Sequence, residues 1–298
     1  MFSISTRIEE ALQQFENKDF AQQLFTCLAE QHFAGYLSSN NVQTFCQKYQ
    51  FTTQSLALIL LPVAACYAHT PISQFRVGAI AHCEDGSLYF GANQEFQGSI
   101  IQQTIHAEQS AISHALTQGA TKIQAITVNY TPCGHCRQFM NELNSAEELL
   151  IHLPHSQSNK LSQYLPDAFG PKDLDIHTRL FDKHDNKLQL TTKNALILTA
   201  LQAANQSHAP YSRNYHGIAL KMQNGHVVHG SYIENAAFNP SLPAMQVALN
   251  GVRLQGYDFA EIQQAIMVEH AHHLSYRHMS ETLLRLTCQL ELNYIGLS

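Results

Sequence analysis

Tryptophan is missing from the 298 residues, and charged side chains supply only 13% of them. So little charge beside 45% apolar content excludes an intrinsically disordered chain, whose balance runs the other way. Basic residues are scarce as well: 17 Lys and Arg stand against 23 Asp and Glu, leaving a formal charge of −6. No run of them could neutralise a phosphate backbone, so a nucleic acid is not expected as substrate. Long apolar runs are also lacking. The longest, Leu56 to Ala68, contains Pro62 and falls short of the about 20 residues that a membrane span needs. It reads as a buried helix, and no membrane association is expected. Cysteines are few and odd in number: Cys27, Cys46, Cys66, Cys83, Cys133, Cys136 and Cys288 are unlike the dense even sets of secreted scaffolds. Met1 is followed by Phe2 and then by polar and acidic residues, not by the segments of a secretory signal. A cytoplasmic setting is expected.

What is present fits two folded units and their connections, since 298 residues exceed one ordinary core. Residues 5–49 carry helix-period apolar positions (Ile8, Leu12, Phe15; Phe20, Leu24, Cys27, Leu28), broken by polar turns such as Ser38 to Asn41. The period then changes. Phe75 to His82 and Leu88 to Asn93 read as strands joined by a hairpin turn at Glu84 to Ser87. A helix from His106 to Leu116 closed by Gly119, a strand at Ile123 to Tyr130, a helix from Cys133 to Leu143 and an apolar run at Leu149 to Leu153 follow. Strands alternating with helices make the fold class α/β. Residues 154–192, with Pro154, Pro166 and Pro171 and no sustained period, suit an ordered linker.

Beyond the linker the first unit recurs. His69-Thr70-Pro71-Ile72-Ser73 is echoed by His208-Ala209-Pro210-Tyr211-Ser212, 139 positions later. The same offset pairs Val77 to Ile80 with His216 to Ala219, Gly86 with Gly225, Gly91 with Gly230, and Glu95 with Glu234. A shared offset over such a span points to internal duplication.

Chemistry-bearing motifs lie only in the first copy, as His106-Ala107-Glu108 and Pro132-Cys133-Gly134-His135-Cys136. His-x-Glu followed by Pro-Cys-x-x-Cys is an established signature of zinc deaminases, so the match is one of known pattern. Its physics is legible. Cys133 and Cys136 stand at i and i+3 where a strand meets a helix, which puts both sulfurs on one side of the first turn. Free N–H groups there favour the thiolates that zinc requires. His106 supplies a third ligand, and three protein ligands leave a fourth position for water, the pattern of a catalytic zinc. Glu108 is not needed as a ligand and lies two residues on, the place of a proton shuttle. Cys-x-x-Cys alone also occurs in redox proteins and structural zinc sites; its pairing with the His-x-Glu segment favours catalysis. His270, His272, His273 and His278 form another cluster, but 18 histidines make chance groupings common, and ligation is not expected there.

Four stretches, Tyr89 to Phe96, Thr104 to Ala115, Val128 to Asn144 and Leu165 to Leu174, together resemble the dimeric bacterial cytidine deaminases. The likeness extends over essentially the whole chain. It implies a three-layer α/β/α core, duplicated as a catalytic and a silent copy after a small helical N-terminal region. The corresponding units are residues 1–50 (helical), 51–153 (catalytic), 154–189 (a linker covering the active site) and 190–298 (non-catalytic). It implies one zinc per chain on His106, Cys133 and Cys136, Glu108 as proton carrier, and a homodimer. It further implies that Asn93 and Glu95, with Gln94 in the same motif, hold the ribose, that Phe75 packs on the pyrimidine, that the Ala107 backbone meets its 4-amino edge, and that Phe169 covers the base. The implied reaction is hydrolytic deamination of cytidine and 2'-deoxycytidine with release of ammonia. A deaminase of a cytosine nucleotide or nucleic acid, and a non-catalytic zinc or nucleoside-binding protein, are the rival readings. In the second copy Tyr232 stands where the first has Asn93, the helix start reads Leu242-Pro243-Ala244-Met245-Gln246, and Cys288 has no x-x-Cys partner, so that copy is expected to be silent.

Overall fold

The computed structural model describes residues 3–297. It begins with α1 (Ile4–Leu12), α2 (Lys18–Glu30), the short strand β1 (Tyr36–Leu37), α3 (Ser39–Tyr49) and α4 (Thr53–Ala65). The segment Ser38 to Asn41, expected as a turn, instead opens α3. The Ser38 hydroxyl accepts the Asn41 N–H, so a residue that favours turns satisfies a free helix donor.

Next come β2 (Gly78–Cys83), β3 (Leu88–Ala92), α5 (Ala107–Thr117), β4 (Ile123–Val128), α6 (Gly134–Met140), β5 (Leu150–His152), β6 (Asn159–Lys160) and α7 (Leu161–Tyr164). The strands form one sheet in the order β1-β3-β2-β4-β5-β6, antiparallel except where β4 runs parallel to β5. Phe75 to Val77 were expected to begin β2 and do not. The Asn93 side chain occupies their backbone groups, its Oδ1 accepting the Val77 N–H and its Nδ2 donating to the Phe75 carbonyl. The segment after Cys133 is helical only to Met140 because the backbone of Glu142 and Asn144 pairs instead with Leu180 of the linker.

The remainder is α8 (Ala195–Asn205), β7 (Tyr215–Met222), β8 (Val227–Ser231), α9 (Ala244–Leu254), β9 (Ile262–His270), α10 (Arg277–Cys288) and β10 (Asn293–Gly296). Its sheet order, β10-β9-β7-β8, repeats β5-β4-β2-β3, including the parallel pair at β9 and β10. The likeness reaches detail. The β2–β4 pairing shifts register between His82 and Cys83, and the β7–β9 pairing shifts between Lys221 and Met222. Bridges join His69 to Gln94 and Gln94 to Ile105 in one copy, and His208 to Ile233 and Ile233 to Leu242 in the other. Between those bridges the offset falls from 139 to 137, so the loop before α9 is two residues shorter than its counterpart.

Two glycines explain how closely each central helix sits on its sheet. A Cβ on Gly91 would lie 2.1 Å from the Ala111 nitrogen of α5, and one on Gly230 would lie 2.3 Å from the Ala244 oxygen of α9. Only hydrogen fits there. The two helices then pack on each other about a local two-fold relation. Gln109 donates to the Pro240 carbonyl at 3.0 Å, and its counterpart Gln246 donates to the Gln103 carbonyl at 2.7 Å. Ala111, Ile112, Val247 and Ala248 belong to one continuous apolar core, so the copies share a centre instead of folding around separate ones. On the outer faces α4 with the N-terminal helices covers the first sheet, and α8 covers the second. No helix among the described residues is long and apolar enough to cross a membrane.

Because Gly230 lies far in sequence from the motifs, Gly230→Ala is expected to act on stability alone, costing about 1–3 kcal/mol of unfolding free energy in urea titration. A change within about 0.5 kcal/mol, the range of ordinary surface substitutions, would contradict the close approach.

Candidate active site

Two helix starts face each other at the end of the first sheet. His106 caps α5, with its N–H donating to Gln109 Oε1 at 3.3 Å. Cys133 caps α6, and Cys136 lies in its first turn, where the Arg137 N–H closes onto the Cys133 carbonyl. The three donors converge. His106 Nδ1 lies 3.3 Å from each sulfur, and the sulfurs are 3.6 Å apart without a disulfide. A tetrahedral zinc about 2.3 Å from sulfur and about 2.0 Å from nitrogen sets donor separations of about 3.7 and about 3.5 Å. The triangle therefore has the size of the metal's own coordination face. Among the described residues it is the one group of three or more such side chains close enough to share a metal ion.

Glu108 stands against this triangle, 5% exposed, its Oε2 accepting from the Cys136 thiol at 3.2 Å. Burial pushes its carboxyl up, opposed by its own N–H and by the thiol. Hydrogen bonds from Cys136 and then His106 pull the Cys133 thiol down to about 3, while the Cys133 sulfur and burial raise that of Cys136. The hydrogen bond to Cys133 outweighs burial at His106 and raises its imidazole. The site thus gathers negative charge on sulfur and keeps a carboxyl where it readily holds a proton.

Around the triangle the other expected residues divide. Ala107 is buried in the first turn of α5. Phe75 is half exposed, with its ring 5.0 Å from that of Tyr130, which sits just ahead of the Pro-Cys motif. Sequence reading passed over Tyr130, although its place before Thr131-Pro132-Cys133 was a signal. Phe169 is half exposed, and its carbonyl accepts from Gln138 at 2.8 Å and Asn141 at 3.1 Å, which fastens the linker to α6. Glu95 is buried and accepts from the N–H groups of Ile72 and Ser73 and from the Ser73 hydroxyl. Against the cost of burial, these bonds hold its carboxyl below the usual range. Asn93 and Glu95 thereby hold the loop that carries Phe75. Gln94 departs from the expectation of substrate contact. Strand alternation turns it inward, where it is fully buried and donates to the Tyr67 and Ala92 carbonyls. Arg137 supports the site, bonding the Pro132 carbonyl at 2.7 Å and the Tyr164 carbonyl at 2.8 Å.

The second copy shows what replaces such a site. Pro243, Ala244 and Met245 stand where the first copy has His106, Ala107 and Glu108. His216 clusters with Tyr232 and Tyr276, its ring centroid 4.5 Å from each and theirs 4.8 Å from one another, and the Ala244 N–H donates to its Nε2 at 3.4 Å. Burial lowers this imidazole to about 4, so it packs as a neutral ring. Beside the start of α9, where the first copy has His106 at the start of α5, the second copy packs its own aromatic side chains.

Removing a vertex of the triangle should remove the metal. Purified Cys133→Ala or Cys136→Ala is expected to carry no stoichiometric zinc by mass spectrometry, and His272→Ala to match the unaltered protein; full zinc in either cysteine variant would contradict the assignment.

Comparison with known proteins reaches the same site. A family model described as the cytidine and deoxycytidylate deaminase zinc-binding region matches residues 52–152, and a second model of the same description matches residues 161–281. A cytidine deaminase of Histophilus somni (strain 2336) is 59% identical over 295 residues, covering 99% of this chain and 97% of that protein. One of Pasteurella multocida (strain Pm70) is 54% identical over 294 residues, 99% of this chain and 100% of its own. A solved cytidine deaminase of Mycobacterium tuberculosis is 32% identical over 39% of this chain and 94% of its own, with a TM-score of 0.34. With both family models matched and relatives this similar along almost the whole length, the chain belongs to the cytidine and deoxycytidylate deaminase family of zinc-dependent enzymes.

Proposed function

We propose that the protein deaminates cytidine and 2'-deoxycytidine to uridine and 2'-deoxyuridine, with residues 51–153 as the catalytic unit and 190–298 as the silent one. The observation that carries this reading is Glu108: a buried carboxyl within hydrogen-bond reach of a metal-ligand triangle that is complete without it. Zinc held by His106, Cys133 and Cys136 would supply Lewis acidity that lowers the pKa of a coordinated water toward neutrality. Glu108 moves the protons. It accepts one from the attacking water and delivers it to N3 of the base as the C4–O bond forms, then takes the remaining hydroxyl proton from the C4 adduct and passes it to the C4 amine, so that the C–N bond breaks, the C4 carbonyl forms and ammonia leaves. Its raised affinity for a proton suits a group that must both take and give one near neutral pH. Phe75 and Tyr130 offer an aromatic wall for the pyrimidine, the Ala107 backbone meets the amino edge, and Phe169 covers the base and excludes water. Asn93 and Glu95 reach the ribose with acceptor positions left over from their bonds to the loop.

Two chains pair in this reading, and the enzyme works in the cytoplasm. Ile100, Ile101 and Phe238 each expose more than 60% of their surface, apolar area of the kind an interface covers. Sedimentation equilibrium is expected to give a dimer; a monomer at assay concentration would contradict the pairing.

For the mechanism, Glu108→Gln should retain zinc and the fold while kcat for cytidine falls about 10²–10⁴-fold, the usual contribution of a positioned acid–base group. Near-normal ammonia release by the zinc-loaded variant would overturn the role. Assayed beside cytidine, cytidine 5'-monophosphate should turn over poorly; a preference for it would assign the enzyme to nucleotides.

A further inference from the structure

Glu142 lies two residues beyond the end of α6 and is fully buried. A carboxylate taken out of water is costly unless its oxygens are satisfied. Here they are, and by the other copy. His208 Nε2 donates to Oε1 at 3.0 Å, the Tyr211 hydroxyl donates to the same oxygen at 2.6 Å, and the Ala236 N–H donates to Oε2 at 3.1 Å. The next turn back is tied the same way: Asn235 Nδ2 donates to the Gln138 carbonyl at 2.9 Å.

The donors have a shared origin. His208 and Tyr211 are the counterparts of His69 and Ile72, and Tyr211 lies on the loop whose N–H groups bind Glu234 just as the first copy's loop binds Glu95. The duplicated substrate loop has kept its own internal carboxylate and turned its outer side toward the helix that carries the cysteines. That helix spans only seven residues, about 10 Å at the rise of an α-helix, so a displacement at Glu142 is passed to Cys136 with little to absorb it. The same helix holds Phe169 through Gln138 and Asn141.

We propose that Glu142 is a positioning residue: seated among His208, Tyr211 and Ala236, it fixes the far end of α6, so the silent copy sets the placement of Cys133 and Cys136 within its own chain. This rests on the zinc reading of those cysteines. It gives the second copy a role distinct from pairing, exerted in cis through one short helix.

The test compares full-length, zinc-loaded Tyr211→Phe, Glu142→Gln and their double variant with Val268→Ala, which thins the core under α8 on the outer face of the second sheet. Three quantities are read: zinc release to a chelator, amide hydrogen exchange along α6, and kcat and KM for cytidine. Tyr211→Phe and Glu142→Gln should each speed zinc release and α6 exchange and lower kcat by about tenfold, a typical coupling between linked sites. KM should stay within about twofold, and the double variant should be no worse than the poorer single one, because both break one cradle. Val268→Ala should lose global stability and leave all three readings unchanged. The inference is overturned if folded Tyr211→Phe keeps native α6 exchange and zinc release, or if Val268→Ala changes them equally. Should Glu142→Gln fail to fold, Tyr211→Phe decides. If the unaltered protein does not deaminate cytidine, the functional reading fails, while α6 exchange still decides the cradle.

Discussion

Three donor atoms within 3.6 Å of one another demand that two separate chain segments arrive at one point with little freedom. Two thiols and an imidazole at that spacing are satisfied together only by a shared cation or by sharing protons, and neither arrangement tolerates drift. The first sheet supplies the constraint. Gly91 lets α5 lie directly on β3 and fixes the height of His106 and Glu108. On the other side of β2, strand β4 runs out toward Pro132 and delivers the cysteines at the same end. Ser110 ties helix to sheet once more, its hydroxyl accepting the Ala92 N–H at 3.0 Å.

The second copy shows which features of this frame are packing and which are chemistry. Sheet order, register shift, bridges and the glycine under the helix all persist, because each is needed for two helices to sit back to back in a shared core. His106 and Glu108 are replaced by Pro243 and Met245, and the loop after β9 has another organiser. Glu269, fully buried, accepts from Asn214 at 3.1 Å, Ser275 at 2.6 Å, the Tyr276 N–H at 2.8 Å and Tyr294 at 3.0 Å. A carboxylate with all its positions filled holds Tyr276 against His216, where the first copy gathers metal ligands.

Much of this was legible because it is local or periodic. The ligand motifs span three and five residues, and the duplication is visible as one offset between short identical patterns. The turn at Gly86, the helix closed by Gly119 and the expected α/β alternation all appear in the fold. What escaped depends on side chains acting as backbone or on distant partners. Asn93 replaces a strand partner for Phe75 and Val77, which no β-propensity records. Gln94 shares a motif with two loop-holding neighbours, and only the alternation of the strand end shows that it must face the core. Glu142 reads as an ordinary polar residue on a helix until His208, Tyr211 and Ala236 arrive from another unit. The shortening of α6 follows from another distant contact, the backbone pairing of Glu142 and Asn144 with Leu180.

The central claim is that His106, Cys133 and Cys136 form one zinc face with a position open to solvent. X-ray absorption at the zinc edge of the purified protein tests it most directly. Two sulfurs at about 2.3 Å with two lighter atoms at about 2.0–2.1 Å are expected, the lighter pair being the imidazole and a water. A shell of four sulfurs, or one of nitrogen and oxygen alone, would contradict it.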